Sequence, residues 1–208
     1  MTGIPPGLLL ITDRRQARRP LPEIVRAALE AGFVAVMVRE PDLEARDLLS
    51  LAEGLLPPCR EHHVPILVNR RLDVALAIPE AGVHLGVRGV AVEDARRLMG
   101  PDRPVGYSAH EVPGAATALA EGADYVCLSP IFPTASKPDR IPRGLPWLEE
   151  AARHLPAERV RALGGVTAES LPALRKTGIG GAAVMGDLMR SADPPRTASE
   201  LVAAWRGA

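Results

Sequence analysis

The chain has 208 residues, 47% hydrophobic and only 3% aromatic, with 25 basic side chains against 25 acidic and a formal net charge of zero. That length and apolar content suit one aliphatic-cored domain over residues 1–208, since α/β barrels commonly exceed 200 residues as one unit. The balanced charge lacks the basic excess that nucleic-acid binding calls for, no apolar run reaches a membrane-spanning length, and residues 1–6 carry no basic leader.

Cys59 and Cys127 are the only cysteines, too few for a disulfide framework. A cytoplasmic protein is expected, with neither nucleic acid nor membrane as a partner and a homodimer allowed.

Short apolar runs alternate with amphipathic stretches. A first strand is expected at 8–12, then a helix at 21–31, where Ile24, Ala27, Ala28 and Ala31 share one face. The pattern repeats as strand 34–38 and helix 43–62, strand 65–68 and helix 72–77, strand 82–85 and helix 92–99, strand 104–107 and helix 112–120. It continues as strand 123–128 and helix 145–153, strand 159–163 and helix 168–176, then strand 181–185 and a final helix ending at Arg206. Gly32, Gly100, Gly122 and Gly178 each follow a helix, where a left-handed cap favours glycine. Eight strand–helix pairs is the count of a closed (β/α)8 TIM barrel, an α/β fold. An open dinucleotide-binding sheet would place Gly-x-Gly-x-x-Gly after the first strand, where Thr12-Asp13-Arg14-Arg15 stands instead.

A barrel gathers its site at the C-terminal strand ends. Just past the strands lie Thr12 and Asp13, Arg39 and Glu40, Asn69 and Arg70, His84 and Gly86, Ser108 and His110, the segment from Thr134 through Ser136 to Lys137, the pair Gly164 and Gly165, and Gly186 with Asp187. Lys137 is one of only two lysines in an arginine-rich chain, and a compact mobile ammonium suits a phosphate. Gly164 and Gly165 end the seventh strand before Thr167, a candidate N-cap, so backbone N–H groups there suit an anion. Barrel phosphate sites are commonly built after strands seven and eight. No paired carboxylates mark a metal centre. His110, His84 and Glu40 are the candidate acid–base groups, His110 first.

Several segments together resemble the thiamine phosphate synthase family and its TenI (thiazole tautomerase) relatives. They are Val38-Arg-Glu40, Val68-Asn-Arg-Arg-Leu-Asp-Val-Ala75, Gly82-Val-His-Leu-Gly86, Gly106-Tyr-Ser-Ala-His110, Ser129-Pro-Ile-Phe-Pro-Thr-Ala-Ser-Lys137 and Leu163-Gly-Gly-Val166. The resemblance implies a TIM barrel acting on a phosphorylated thiazole. It implies substrate and phosphate contacts at Arg39, Asn69, Ser108, Thr134, Ser136, Lys137, Gly164, Gly165 and Gly186.

In the synthase it implies condensation with an aminopyrimidine diphosphate and release of a pyrophosphate held by Arg, Lys and a Mg²⁺ on two aspartates. Arg70 and Gly89 stand at those aspartate positions, Pro41 at the lysine and Met37 at a glutamine. Pro130 stands where the characterised tautomerase has its histidine. The expectation is therefore a TenI-like binder of thiazole phosphate, with tautomerisation as its candidate reaction and no cofactor. The alternatives are a synthase, which alone would call for Mg²⁺, and a non-catalytic ligand-binding or regulatory homologue.

Overall fold

The computed structural model describes residues 3–136 and 139–207. Eight parallel strands close into a barrel in chain order: β1 Gly7–Ile11, β2 Ala35–Val38, β3 Ile66–Asn69, β4 Gly82–Gly86, β5 Val105–Ala109, β6 Tyr125–Leu128, β7 Val160–Leu163 and β8 Gly181–Val184. Closure is made by β1 against β8, with Gly7 opposite Gly181 and Leu10 opposite Val184. The helices are α1 Leu21–Ala31, α2 Ala45–Glu61, α3 Leu72–Ala77, α4 Val92–Met99, α5 Val112–Ala120, α6 Gly144–His154, α7 Leu171–Lys176, α8 Gly186–Met189 and α9 Pro194–Arg206. Among the described residues, no helix is long and apolar enough to cross a membrane.

The strands are near-continuous apolar runs because both faces are covered. In β1, Leu8 and Leu10 face the helix layer while Leu9 and Ile11 point into the barrel. α1 forms because Leu21, Ile24, Val25 and Ala28 bury one stripe, with Pro22 in its first turn. Ile24 is fully buried, worth roughly 1.5–3 kcal/mol. Gly32 ends the helix at φ 105°, its N–H donating to the Ala28 and Leu29 carbonyls.

The barrel interior is largely aliphatic, with Tyr125 and Cys127 among its apolar residues and the buried polar side chains His84 and Arg161 beside them. Gly106 makes room for the tyrosine; a β-carbon there would overlap its ring. At the end opposite the mouth lies Arg161, fully buried. Its guanidinium donates to the carbonyls of Ile4 (3.1 Å), Pro5 (2.9 Å) and Glu158 (2.6 Å), while its Nε has no partner. Burial pushes its pKa below the ordinary arginine value.

The seventh helix begins at Leu171, three residues later than the sequence suggests. Residues 167–170 form a turn instead: the Ser170 hydroxyl donates to the Thr167 carbonyl and accepts from the Thr167 N–H, both at 3.0 Å. Thr167 is therefore not the helix cap. A local side-chain bond has outcompeted the first helical turn.

Candidate functional site

The strand exits surround one cavity of about 1090 Å³. Arg39, Glu40, Asn69, His84, Ser108, His110, Thr134, Ser136, Gly164, Gly165 and Gly186 all line it, so the topology brings those candidates together. Lys137 lies outside the described residues.

Glu40 is a structural carboxylate rather than a free base. It accepts from the Thr12 hydroxyl at 2.7 Å and from the Arg14 N–H at 3.1 Å on both oxygens, and it pairs with Arg14 Nη1 at 3.3 Å. The Thr12 hydroxyl in turn accepts from the Arg39 N–H at 3.0 Å. Together these bonds clamp the exits of β1 and β2. A second fork from Arg14 holds Asp42 at 2.7 and 2.8 Å and lowers its pKa to about 2.

His84 is buried between Tyr125 and Ser108. Its Nδ1 lies 2.9 Å from the Tyr125 hydroxyl and its Nε2 lies 2.8 Å from the Ser108 hydroxyl. Its ring is held inside a polar chain that reaches the cavity through Ser108. Burial pushes the Tyr125 phenol well above its ordinary range, so the hydroxyl stays neutral.

His110 is different. Its Nδ1 sits 2.8 Å from the Ser129 carbonyl. A carbonyl only accepts, so Nδ1 carries the hydrogen and Nε2 of the neutral ring is the acceptor. Of the three acid–base candidates, His110 alone is half-buried on the cavity wall with a ring nitrogen not used in a hydrogen bond among the described residues.

The β7 exit is fixed by backbone. Gly164 and Gly165 have φ of 101° and 66°, a region open to glycine at little cost. The Leu163 and Gly164 carbonyls accept from the N–H groups of Ile131 and Phe132, both at 3.0 Å, which staples the β6 loop to this turn. A β-carbon on Gly165 would lie 2.5 Å from the Pro133 carbonyl oxygen. The anion cradle expected here is smaller than the sequence suggests. The Thr167 N–H donates to Ser170, and the Ala168 N–H lies 3.4 Å from the Asp187 carboxylate.

The opposite side of the mouth is built from arginines. Arg39, Arg70 and Arg88 line it, while Arg71, also there, is forked onto Asp73 at 2.6 and 2.9 Å. Arg70 occupies the left-handed region at φ 64°, its N–H bonded to the His84 carbonyl at 2.8 Å. Sequence reasoning missed Arg190 and Gln16, which also line the cavity. No strand-end signal flags them, since one lies in the β1 loop and the other follows α8.

Comparison with known proteins agrees with this geometry. The family model described as thiamine monophosphate synthase (TMP-TENI) matches residues 8–188. A thiamine-phosphate synthase of Roseiflexus sp. (strain RS-1) is 41% identical over 89% of this chain and 79% of its own length. A putative thiamine-phosphate synthase of Geobacter sulfurreducens is 39% identical over 95% and 93%. The solved thiamine phosphate pyrophosphorylase of Pyrococcus furiosus superposes with a TM-score of 0.86 at 31% identity, covering 97% of this chain and 96% of that one. The chain is a single-barrel α/β protein of the thiamine monophosphate synthase/TenI family. The names of these relatives side with the synthase alternative and lend nothing to the isomerase expectation.

The Mg²⁺ implied by the family does not fit the residues present. Arg70 and Gly89 stand at the expected ligand positions, Glu40 is committed to Thr12 and Arg14, and no group of three His, Cys, Asp or Glu suited to a metal occurs among the described residues. A dication beside several guanidinium groups would be repelled.

Proposed function

We propose that this barrel is a transferase that joins a phosphorylated thiazole to a pyrimidine diphosphate and releases pyrophosphate, with arginines holding the diphosphate. The observation that carries this reading is one cavity with two ends of different chemistry: a glycine turn at β7 beside the helix start at Gly186, and guanidinium groups at β2 to β4. Its volume of about 1090 Å³ lies above the range of about 300–1,000 Å³ usual for a single small-molecule site. Two small phosphorylated substrates bound side by side would use that space.

In this reading Gly164, Gly165 and Gly186 receive the thiazole phosphate, with Thr134, Ser136 and Lys137 as its further contacts. Arg39, Arg70 and Arg88 neutralise the charge that accumulates on the departing diphosphate, an electrostatic role that needs donors placed in advance. Ser108, its hydroxyl set by His84, and Asn69 orient the pyrimidine end. The test is pyrophosphate release from the two substrates with and without EDTA. Release that survives EDTA supports the proposal, whereas release that EDTA abolishes, or no release at all, overturns it.

A second reading rests on the Nε2 of His110, an acceptor on the cavity wall that could move a proton on a bound thiazole. It predicts turnover of the carboxythiazole phosphate tautomer by the wild type and its loss in His110→Ala. Turnover that persists in that variant excludes His110 as the base.

A further inference from the structure

We propose that Arg190 is a phosphate-binding residue of the β8 exit, oriented by Gln16, and that it supplies the positive charge the glycine turns cannot. This deepens the two-anion reading above and rests on it for the identity of the natural ligand. Arg190 lines the cavity and follows α8, and its guanidinium folds back over Gly186. A β-carbon on Gly186 would lie 2.8 Å from Arg190 Nη2 and 2.9 Å from Cζ, so glycine there is what lets the guanidinium lie against the turn.

The side chain is positioned. Arg190 Nη1 donates to Gln16 Oε1 at 2.6 Å, and Gln16 Nε2 donates to Asp13 Oδ2 at 2.6 Å. The same two segments are joined by the Arg18 N–H on the Met189 carbonyl at 3.0 Å. Among the described residues no carboxylate pairs with the Arg190 guanidinium, in contrast to Arg14 on Glu40 and Asp42 and Arg71 on Asp73.

The local charge balance favours such a cation. Asp187, in the same short helix, lines the cavity too, and its carboxylate takes the Ala168 N–H. The Thr167 N–H is already spent on Ser170. With the Thr167 and Ala168 N–H groups committed, a phosphate dianion here would meet a neighbouring negative charge at Asp187. A guanidinium over Gly186 offsets that charge and offers a planar fork suited to phosphate oxygens.

Calorimetry with inorganic phosphate as the probe tests this without any assay of the reaction. Wild type, Arg190→Ala, Arg190→Lys, Gln16→Ala and Arg70→Ala are compared, each checked for an unchanged thermal melt. The expected result is a ten- to hundredfold loss of phosphate affinity in Arg190→Ala, a partial loss in Arg190→Lys and in Gln16→Ala, and little change in Arg70→Ala. Phosphate affinity unchanged in Arg190→Ala overturns the proposal, as does an equal loss in Arg70→Ala, which would place the anion at the other end of the mouth. If Arg190→Ala melts early, Arg190→Lys and Gln16→Ala decide alone, and no loss in either overturns it. Failure of the two-substrate condensation with Arg190-dependent phosphate binding intact would sink the proposed reaction and leave this site standing.

Discussion

The two sides of the mouth, which the proposed reaction assigns to two anions, are built by different means. At the β7 exit the backbone makes a turn that only glycine enters easily, and the β6 loop packs directly onto it, while at the β8 exit Gly186 opens α8 beneath the Arg190 guanidinium. At the β2 to β4 exits the donors are Arg39, Arg70 and Arg88, side chains reaching into the cavity from half-buried or exposed positions. One side is therefore part of the fold, and a change there disturbs packing. The other side can change its ligand chemistry by single substitutions while the barrel beneath stays intact.

The largest expected effect breaks the glycine side. Gly165→Ala forces a side chain into φ 66° and against the Pro133 carbonyl. It should cost roughly 3 kcal/mol of stability, read by urea unfolding. A loss near zero would mean the turn is as adaptable as the arginine side.

Next comes conversion of the arginine side. Arg70→Asp with Gly89→Asp should create Mg²⁺ binding that the wild type lacks, and should lower metal-free pyrophosphate affinity by roughly ten- to a hundredfold. Aspartate tolerates the left-handed region better than arginine, so the first change suits the backbone. The second is tighter, with a β-carbon 3.1 Å from the Gly86 carbonyl. Titration calorimetry checks both, and equal Mg²⁺ binding by the wild type would erase the contrast between the two sides.

A smaller effect is expected beneath the mouth. Tyr125→Phe removes one of the hydrogen-bonding partners of His84 and should cost about 1–2 kcal/mol of stability. If Ser108 depends on that chain, turnover falls while phosphate affinity holds.

The smallest effect is a pH dependence at the outer rim of the arginine side. Asp42 falls from an ordinary 3.8 to about 2 in the folded protein because Arg14 bonds to it. Its contribution is present in full above about pH 4 and is lost as pH falls through about 2. Asp42→Asn should remove that part of the acid transition in a melt series. An unchanged acid limb would show that the clamp rests on Glu40 alone.

Barrel and mouth were unequally legible in the sequence. All eight strands fall within two residues of their expected places, because runs such as Leu8-Leu9-Leu10-Ile11 are apolar on both faces and have no other use in this fold. The glycine side was legible too, since Gly164 and Gly165 stand together at a strand end. The β7-to-α7 link was misread because the Ser170 hydroxyl, on the third residue of the expected helix, makes a local turn that periodicity does not register. Glu40 was misread as a base because its partner Arg14 lies 26 residues away and is brought to it only by the β1–β2 pairing. Arg190 was missed for the same kind of reason: Gln16, which aims it, is 174 residues distant.

Arg161 ties assembly to synthesis. Its guanidinium binds the carbonyls of Ile4 and Pro5, 157 and 156 residues earlier, and the same region is sealed by Gly7 opposite Gly181. A chain emerging from the ribosome can build its early strand–helix units in turn. It cannot seat the segment around Ile4 until residue 161 is free, nor close the ring until β8 follows. Such late, long-range closure slows folding. Until then β1 lacks its β8 partner, and its inward side chains Leu9 and Ile11 lack the neighbours, such as Ala183, that complete the inner core.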